Sequence, residues 1–292
     1  MTEVKQEVRQ FYDHVGWQIV SDDVYQNARY EDLRPVSLEY IRRCHLRVNQ
    51  HLKPAGHLLL DAGSGPIQYP EYLEYSRNYQ HRVCADISIT ALREAHKRIR
   101  DHGLYVVADI ANLPFEPDAF DGVVSLHTIH HLPESEHLNA YLELHRVLEP
   151  GGSAVVVNGW QTSRLMDITD PFIHLSNRLR GLIRRLSGKT NPAHPKVKPD
   201  ADDKQTIQQS KKPKGTYVEK HEVDWVKHQV GAYMPLEILV WRSVSVRFLR
   251  SLIHPKTGGR WWLRLLFWLE ERFPHFFGEQ GKYPLIVIRK GD

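Results

Sequence analysis

Leu58-Leu59-Leu60-Asp61-Ala62-Gly63-Ser64-Gly65 is a short apolar run that ends in an acid and then in two glycines one residue apart. An apolar run of this length, stopped by glycine, predicts a buried strand feeding a tight turn. Glycine at such a turn lets the backbone pass close beneath a ligand, where a Cβ would collide with it. A lone GxG is weak by itself. The dinucleotide fingerprint needs a third glycine at position 68, and that position is Gln68, which counts against NAD or FAD.

Outward from this stretch the chain alternates strand-like and helix-like patterns. Arg82–Asp86 reads as a second strand, and Ser88 then caps a helix whose apolar positions are Ile89, Leu92, Ala95 and Ile99, stopped by Gly103. Tyr105–Asp109, Asp121–Ser125 and Ala154–Val157 read as further strands. Pro133 opens a helix between the last two, with Leu138, Tyr141, Leu142, His145 and Leu148 as its stripe. Glu237–Val246 and Pro284–Arg289 supply two more strands. Strands and helices at this spacing predict βαβ units in a mainly parallel, doubly wound α/β sheet.

The chemistry lies at the strand ends. Asp86 stands 21 residues past Gly65, at the end of the second strand, where a carboxylate can accept both hydroxyls of a ribose. Asp109 ends the third strand, at the height of an adenine amino group. Three acids ending successive strands suit a neutral nucleoside with a cationic tail, and suit a polyphosphate poorly.

Five segments together resemble the class I S-adenosylmethionine-dependent methyltransferases, especially the small-molecule, lipid and quinone methylases. They are LDAGSG (60–65), CADIS (84–88), ADIANLPF (108–115), FDGVVSLHTIHHL (120–132) and LHRVLEPGG (144–152). The resemblance implies a seven-stranded sheet with one antiparallel strand, for which YPLIVIRK (283–290) is suited, and S-adenosylmethionine as cofactor. It implies that Gly63, Ser64 and Gly65 line the methionine part and that Asp61 holds its amino group. Asp86 would bind the ribose, Asp109 and the backbone of Ile110 would address the adenine, and Ile87 would be a further cofactor contact. His127 would lie against the cofactor near the reaction. Many members carry a third glycine in DxGxGxG where this chain has Ile67.

His127, His130 and His131 invite a metal reading, but the acids that accompany such a site are missing, and no metal is expected. His131, with His127 as second choice, is the candidate general base. Packing at the strand end is the competing explanation.

Residues 1–55 are read as a helical lid, with Tyr12 or Tyr30 as cofactor contacts. Residues 56–160 are the cofactor-binding core. Residues 161–216 hold an amphipathic helix, Asp170–Leu186, and a Lys- and Pro-rich insertion. Residues 217–292 complete the sheet around an aromatic helix, RWWLRLLFWLEERF. On the amphipathic helix Phe172, Leu175, Leu179, Leu182 and Leu186 share one face, opposite Arg178, Arg180, Arg184 and Arg185.

Bulk properties constrain partners. The formal net charge is +4, and the insertion 187–215 accounts for it with seven Lys against three Asp. That argues little for nucleic acid. Two cysteines, Cys44 and Cys84, suggest no disulfide framework, so the expected setting is cytoplasmic. The N-terminus carries no apolar leader core, and no apolar run approaches a membrane span. The aromatic, leucine-rich segments outside the core predict a hydrophobic small-molecule acceptor, with peripheral membrane contact as an option. An RNA or protein methylase using the Lys-rich insertion, and a non-catalytic cofactor-binding module, remain the alternatives.

Overall fold

The computed structural model describes residues 2–17, 19–21, 24–25, 31–186 and 216–291. Tyr30 and the Lys-rich stretch 187–215 lie outside the described residues.

Seven strands form one sheet: β1 Gly56–Ala62, β2 Tyr79–Asp86, β3 Gly103–Val107, β4 Phe120–Leu126, β5 Leu148–Val157, β6 Leu236–Arg242 and β7 Tyr283–Arg289. Their order is β3-β2-β1-β4-β5-β7-β6. β7 runs antiparallel to both neighbours and the other ladders are parallel. The doubly wound, mainly parallel sheet is therefore as expected, including the antiparallel strand at YPLIVIR. The central strands are apolar on both faces, which is why they read as unbroken hydrophobic runs. Leu60, Val83, Val123, Ala154 and Ile286 enter one core, while Leu59, Cys84, Val124, Val155 and Val287 enter the other.

The α-helices of seven residues or more among the described residues are α1 Glu3–Phe11, α2 Leu38–Leu46, α3 Ile89–Ile99, α4 His137–Arg146, α5 Arg164–Leu186, α6 Val246–Leu252, α7 Gly259–Arg272 and α8 Pro274–Gln280. A third core, with Tyr40, Ile41, Cys44, Leu249, Leu263 and Phe267, joins α2, α6 and α7 beside the sheet.

Several boundaries differ from the sequence reading, each for a local reason. The third strand stops at Val107, because the Asp109 carboxylate accepts the N–H of Ala111 at 3.0 Å and turns the chain. β6 stops at Arg242, and Ser245 accepts the N–H of Phe248 at 3.1 Å to cap α6. Pro133 precedes a 3₁₀ turn, so α4 begins only at His137. α5 starts six residues earlier than Asp170 and runs through Pro171. Its apolar stripe faces outward. Ile173 is buried, and Ser176 and Arg180 bond the carbonyls of Ser251 and Arg250 at 2.8 and 2.9 Å. Ile168, Phe172, Leu175, Leu179 and Leu182 are each at least half exposed.

Candidate active site

A cavity of about 430 Å³ opens at the C-terminal ends of β1, β2 and β4. That volume lies within the roughly 300–1,000 Å³ of small-ligand pockets, at the place where open α/β sheets bind ligands. Its floor is the turn after β1. Gly63 and Gly65 have φ of 78° and 53°, conformations that favour glycine. A Cβ on Gly63 would stand 2.2–2.7 Å from Thr128, and one on Gly65 3.0 Å from the Trp17 ring. The glycines thus admit a neighbouring loop and the lid ring, which is a different close approach from the ligand contact predicted. Ile67 has φ 54° and is fully buried. It keeps the backbone conformation that glycine would adopt, with a β-branched side chain packed into the core.

Asp61 and Asp86 both line the cavity. Arg82, buried inside β2, donates through both Nε and Nη2 to Oδ2 of Asp61, the Nε bond being 3.0 Å. Asp61 Oδ1 takes no hydrogen bond among the described residues, so it is open to a cation from the cavity. Asp86 accepts the N–H of Gly65 on Oδ2 and of Ser88 on Oδ1, each at 2.8 Å. A carboxylate has about four acceptor sites, so one remains on each oxygen, which suits a diol. Burial pushes Asp86 up to about 6 against the pull of those N–H donors.

The end of the cavity that holds the three histidines is built on β4. His127 follows it with φ 57°, and its ring meets the edges of Trp241 and Tyr283 at centroid distances of 5.0 and 5.9 Å. Burial, then the Arg242 charge, lowers His127 to about 3. His131 Nδ1 bonds the carbonyl of Tyr217 at 2.8 Å. A carbonyl only accepts, so Nδ1 carries the proton, and Nε2 accepts from the Tyr12 hydroxyl at 2.8 Å. Burial holds His131 at about 4, against that carbonyl. His130 donates from Nδ1 to Asn158 at 3.1 Å. Tyr12 stacks on Trp17 at 5.0 Å, and both rings line the cavity.

Of the predicted site residues, Asp61, Gly63, Ser64, Gly65, Asp86, His127 and His131 line one cavity. Ile87, Asp109 and Ile110 do not. Lys5 of α1 is buried and pairs with both Asp109 and Glu136, and Asp13 accepts from the Ser88 hydroxyl, so the lid covers this end. Sequence reasoning missed Arg82, Lys5, Lys220 and the Glu31–Arg242 pair. An arginine within the apolar strand Arg82–Asp86 was a visible signal, since a charge buried in a sheet needs a partner. The others come from distant parts of the chain and leave no local pattern. Burial would raise Glu31, but the Arg242 guanidinium and His45 outweigh it and hold it at about 2.

Comparisons with known proteins bear on the domain that carries this site. A family model described as "Methyltransferase domain" matches residues 60–156. The methyltransferase GfsG of Streptomyces halstedii is 29% identical over 131 residues, 42% of this chain and 46% of that protein. The ubiquinone/menaquinone biosynthesis C-methyltransferase UbiE of Rhizobium rhizogenes is 32% identical over 100 residues, 32% of this chain and 38% of that protein. The tRNA (carboxymethyluridine(34)-5-O)-methyltransferase of Arabidopsis thaliana is 30% identical over 111 residues, 35% of this chain and 24% of that protein. The matches thus span less than half the length of each of these relatives. Among solved structures, the geranyl diphosphate C-methyltransferase of Streptomyces coelicolor A3(2) covers 99% of both chains at 14% identity and a TM-score of 0.52. The [4+2]-cyclase SpnF covers 98% of this chain and 97% of its own, at 16% identity and a TM-score of 0.51. A cyclase on the same fold means that the fold alone does not carry the activity. Residues 60–156 thus carry a methyltransferase domain, and Asp61 and Asp86, two of the strand-end acids expected from the resemblance to class I S-adenosylmethionine-dependent methyltransferases, meet in one cavity.

Proposed function

We propose that this chain transfers a methyl group from S-adenosylmethionine to an O, N or C nucleophile of an apolar, aromatic or lipid-like small molecule. The observation that carries the reading is the meeting of Asp61 and Asp86 with the Gly63–Gly65 turn and a closed aromatic wall in one cavity. When bound, the cofactor supplies an electrophilic methyl on a sulfonium. Asp61 Oδ1 receives the methionine ammonium, and Arg82 fixes that carboxylate. Asp86 receives the ribose hydroxyls. Asp109, Ile110 and Ile87 receive the adenine once Lys5 leaves Asp109. His127, neutral and clamped between rings, walls the transfer site.

The protein's task is then alignment and the exclusion of water. Where the nucleophile carries a proton, Tyr12 accepts it as its own proton passes to His131 Nε2, whose tautomer is set by Tyr217. The aromatic wall of Tyr69, Tyr72, Trp241 and Tyr283 favours an apolar acceptor over a polar metabolite. Among the described residues no helix is long and apolar enough to cross a membrane. The exposed apolar stripe on α5 and Trp261, Trp262 and Trp268 on α7 support contact with a lipid surface as the acceptor's source.

Calorimetric titration of S-adenosylmethionine, S-adenosylhomocysteine and NAD is the test, with Asp86→Asn as the control that keeps the carboxylate's shape. The expected result is binding of the first two, weakened at least tenfold in the variant, and none of NAD. Failure to bind either, or preference for NAD, refutes the reading. Methylation of RNA alone, lost on deletion of 190–214, would replace the acceptor class.

A further inference from the structure

The far end of the cavity has a charge that nothing on its wall answers. Residues 216–220 pass beside the turn Ile129–His131, where the Glu219 N–H donates to the carbonyl of His130 at 2.8 Å. Thr216, Val218 and Lys220, at alternate positions, all line the cavity. Among the cavity's other charged residues, Glu31 is paired with Arg242 and Asp61 with Arg82, while Asp86 faces the ribose position. Lys220 has no ion pair or hydrogen bond among the described residues. Its Nζ stands at the end of β5, 3.3 Å from where a Cβ of Gly159 would lie. Burial, and then the like charge of Lys282, act against its protonation. The neighbouring His130 and His131 are neutral through burial. This end therefore holds an unanswered cation and is walled by aromatic rings.

We infer that Lys220 is the anchor for an anionic oxygen of the acceptor, so that the acceptor is an apolar or aromatic acid whose carboxylate seats on Lys220. This deepens the methyl-transfer reading and rests on it. A desolvated ammonium costs free energy until an anion reaches it, and a carboxylate at that distance forms charge-assisted hydrogen bonds. An uncharged ester or alcohol of the same shape leaves the cation unanswered, so the site discriminates by charge as well as by shape.

The test uses the full-length protein saturated with S-adenosylhomocysteine. Benzoate, cinnamate and decanoate are titrated against their methyl esters, with parent and Lys220→Met compared. At least one acid is expected to bind tenfold or more tightly than its ester. Lys220→Met is expected to abolish that preference, with ester affinity and S-adenosylhomocysteine affinity unchanged. If no acid is preferred, or the variant weakens acid and ester alike, the inference is overturned. If the variant instead weakens S-adenosylhomocysteine tenfold, Lys220 holds the cofactor's own carboxylate and the acceptor assignment is overturned. Loss of acid preference with cofactor binding intact leaves methyl transfer standing, whereas a parent that binds no cofactor fails at the earlier step.

Discussion

Asp86 has two tasks that pull its protonation in opposite directions. Burial favours the neutral acid, with a value of about 6, while a ribose diol needs the carboxylate as acceptor. In the empty protein the raised value means that the folded state holds the proton more tightly than the unfolded chain. Stability from this group is therefore present below pH 4 and lost as pH rises through 6. Cofactor affinity runs the other way. It should be constant above pH 7 and fall toward tenfold per pH unit below 6, in calorimetry across pH 5 to 8. A flat profile would show that Asp86 does not carry the ribose. Ile67 shows a second tension at this scale. A left-handed conformation costs an L-residue about 1–2 kcal/mol, and the fully buried side chain offsets that cost by packing. The sequence displayed the missing glycine at 67, but nothing in it said that the turn keeps its shape.

Elements whose function is local were readable, and those completed by distant chain were not. The turn 61–65 joins strand, acid and glycines within a few residues, so its role is visible in one line of sequence. The helix α5 was readable as amphipathic, but its orientation was not, because both of its faces are self-consistent. Polar Ser176 and Arg180 meet the carbonyls of α6, and the leucines face outward. The exposed positions 168, 172, 175, 179 and 182 fall at intervals of four, three, four and three, one continuous stripe. Arg178 lies exposed on the same helix, which suits an anionic lipid surface. In vesicle sedimentation the protein should bind phosphatidylserine-containing vesicles. The double substitution Leu175→Asp and Leu179→Asp should reduce that binding at least tenfold while the thermal midpoint stays put. Equal binding by parent and variant would remove the surface role from α5.

At the scale of the whole molecule, the cavity draws on residues from Phe11 to Tyr283, yet the matched domain covers only 60–156. The residues proposed to hold the cofactor in the cavity, Asp61, Gly63, Ser64, Gly65 and Asp86, lie in that domain and were legible. The wall proposed for the acceptor comes from the N-terminal segment, from 216–220, and from β6 and β7, which meet only in three dimensions. Lys5 ties the lid to the domain through Asp109 and Glu136. Removing one partner of such a cluster leaves carboxylates facing each other, and Lys5→Ala should lower unliganded stability by about 1–3 kcal/mol. S-adenosylhomocysteine should then raise the melting temperature of the variant more than that of the parent, since adenine meets no competing side chain. A smaller rise in the variant would mean that Lys5 assists the bound state.

The stretch 216–220 crosses the site on backbone hydrogen bonds, such as the one from Glu219 to His130, and lines the cavity with alternate residues, Thr216, Val218 and Lys220. Such a strip is a cassette. Residues 216, 218 and 220 can be rewritten without disturbing a strand, a helix cap or the cofactor turn, so new acceptors for this scaffold are reached by exchanging three side chains on a border the rest of the fold does not need.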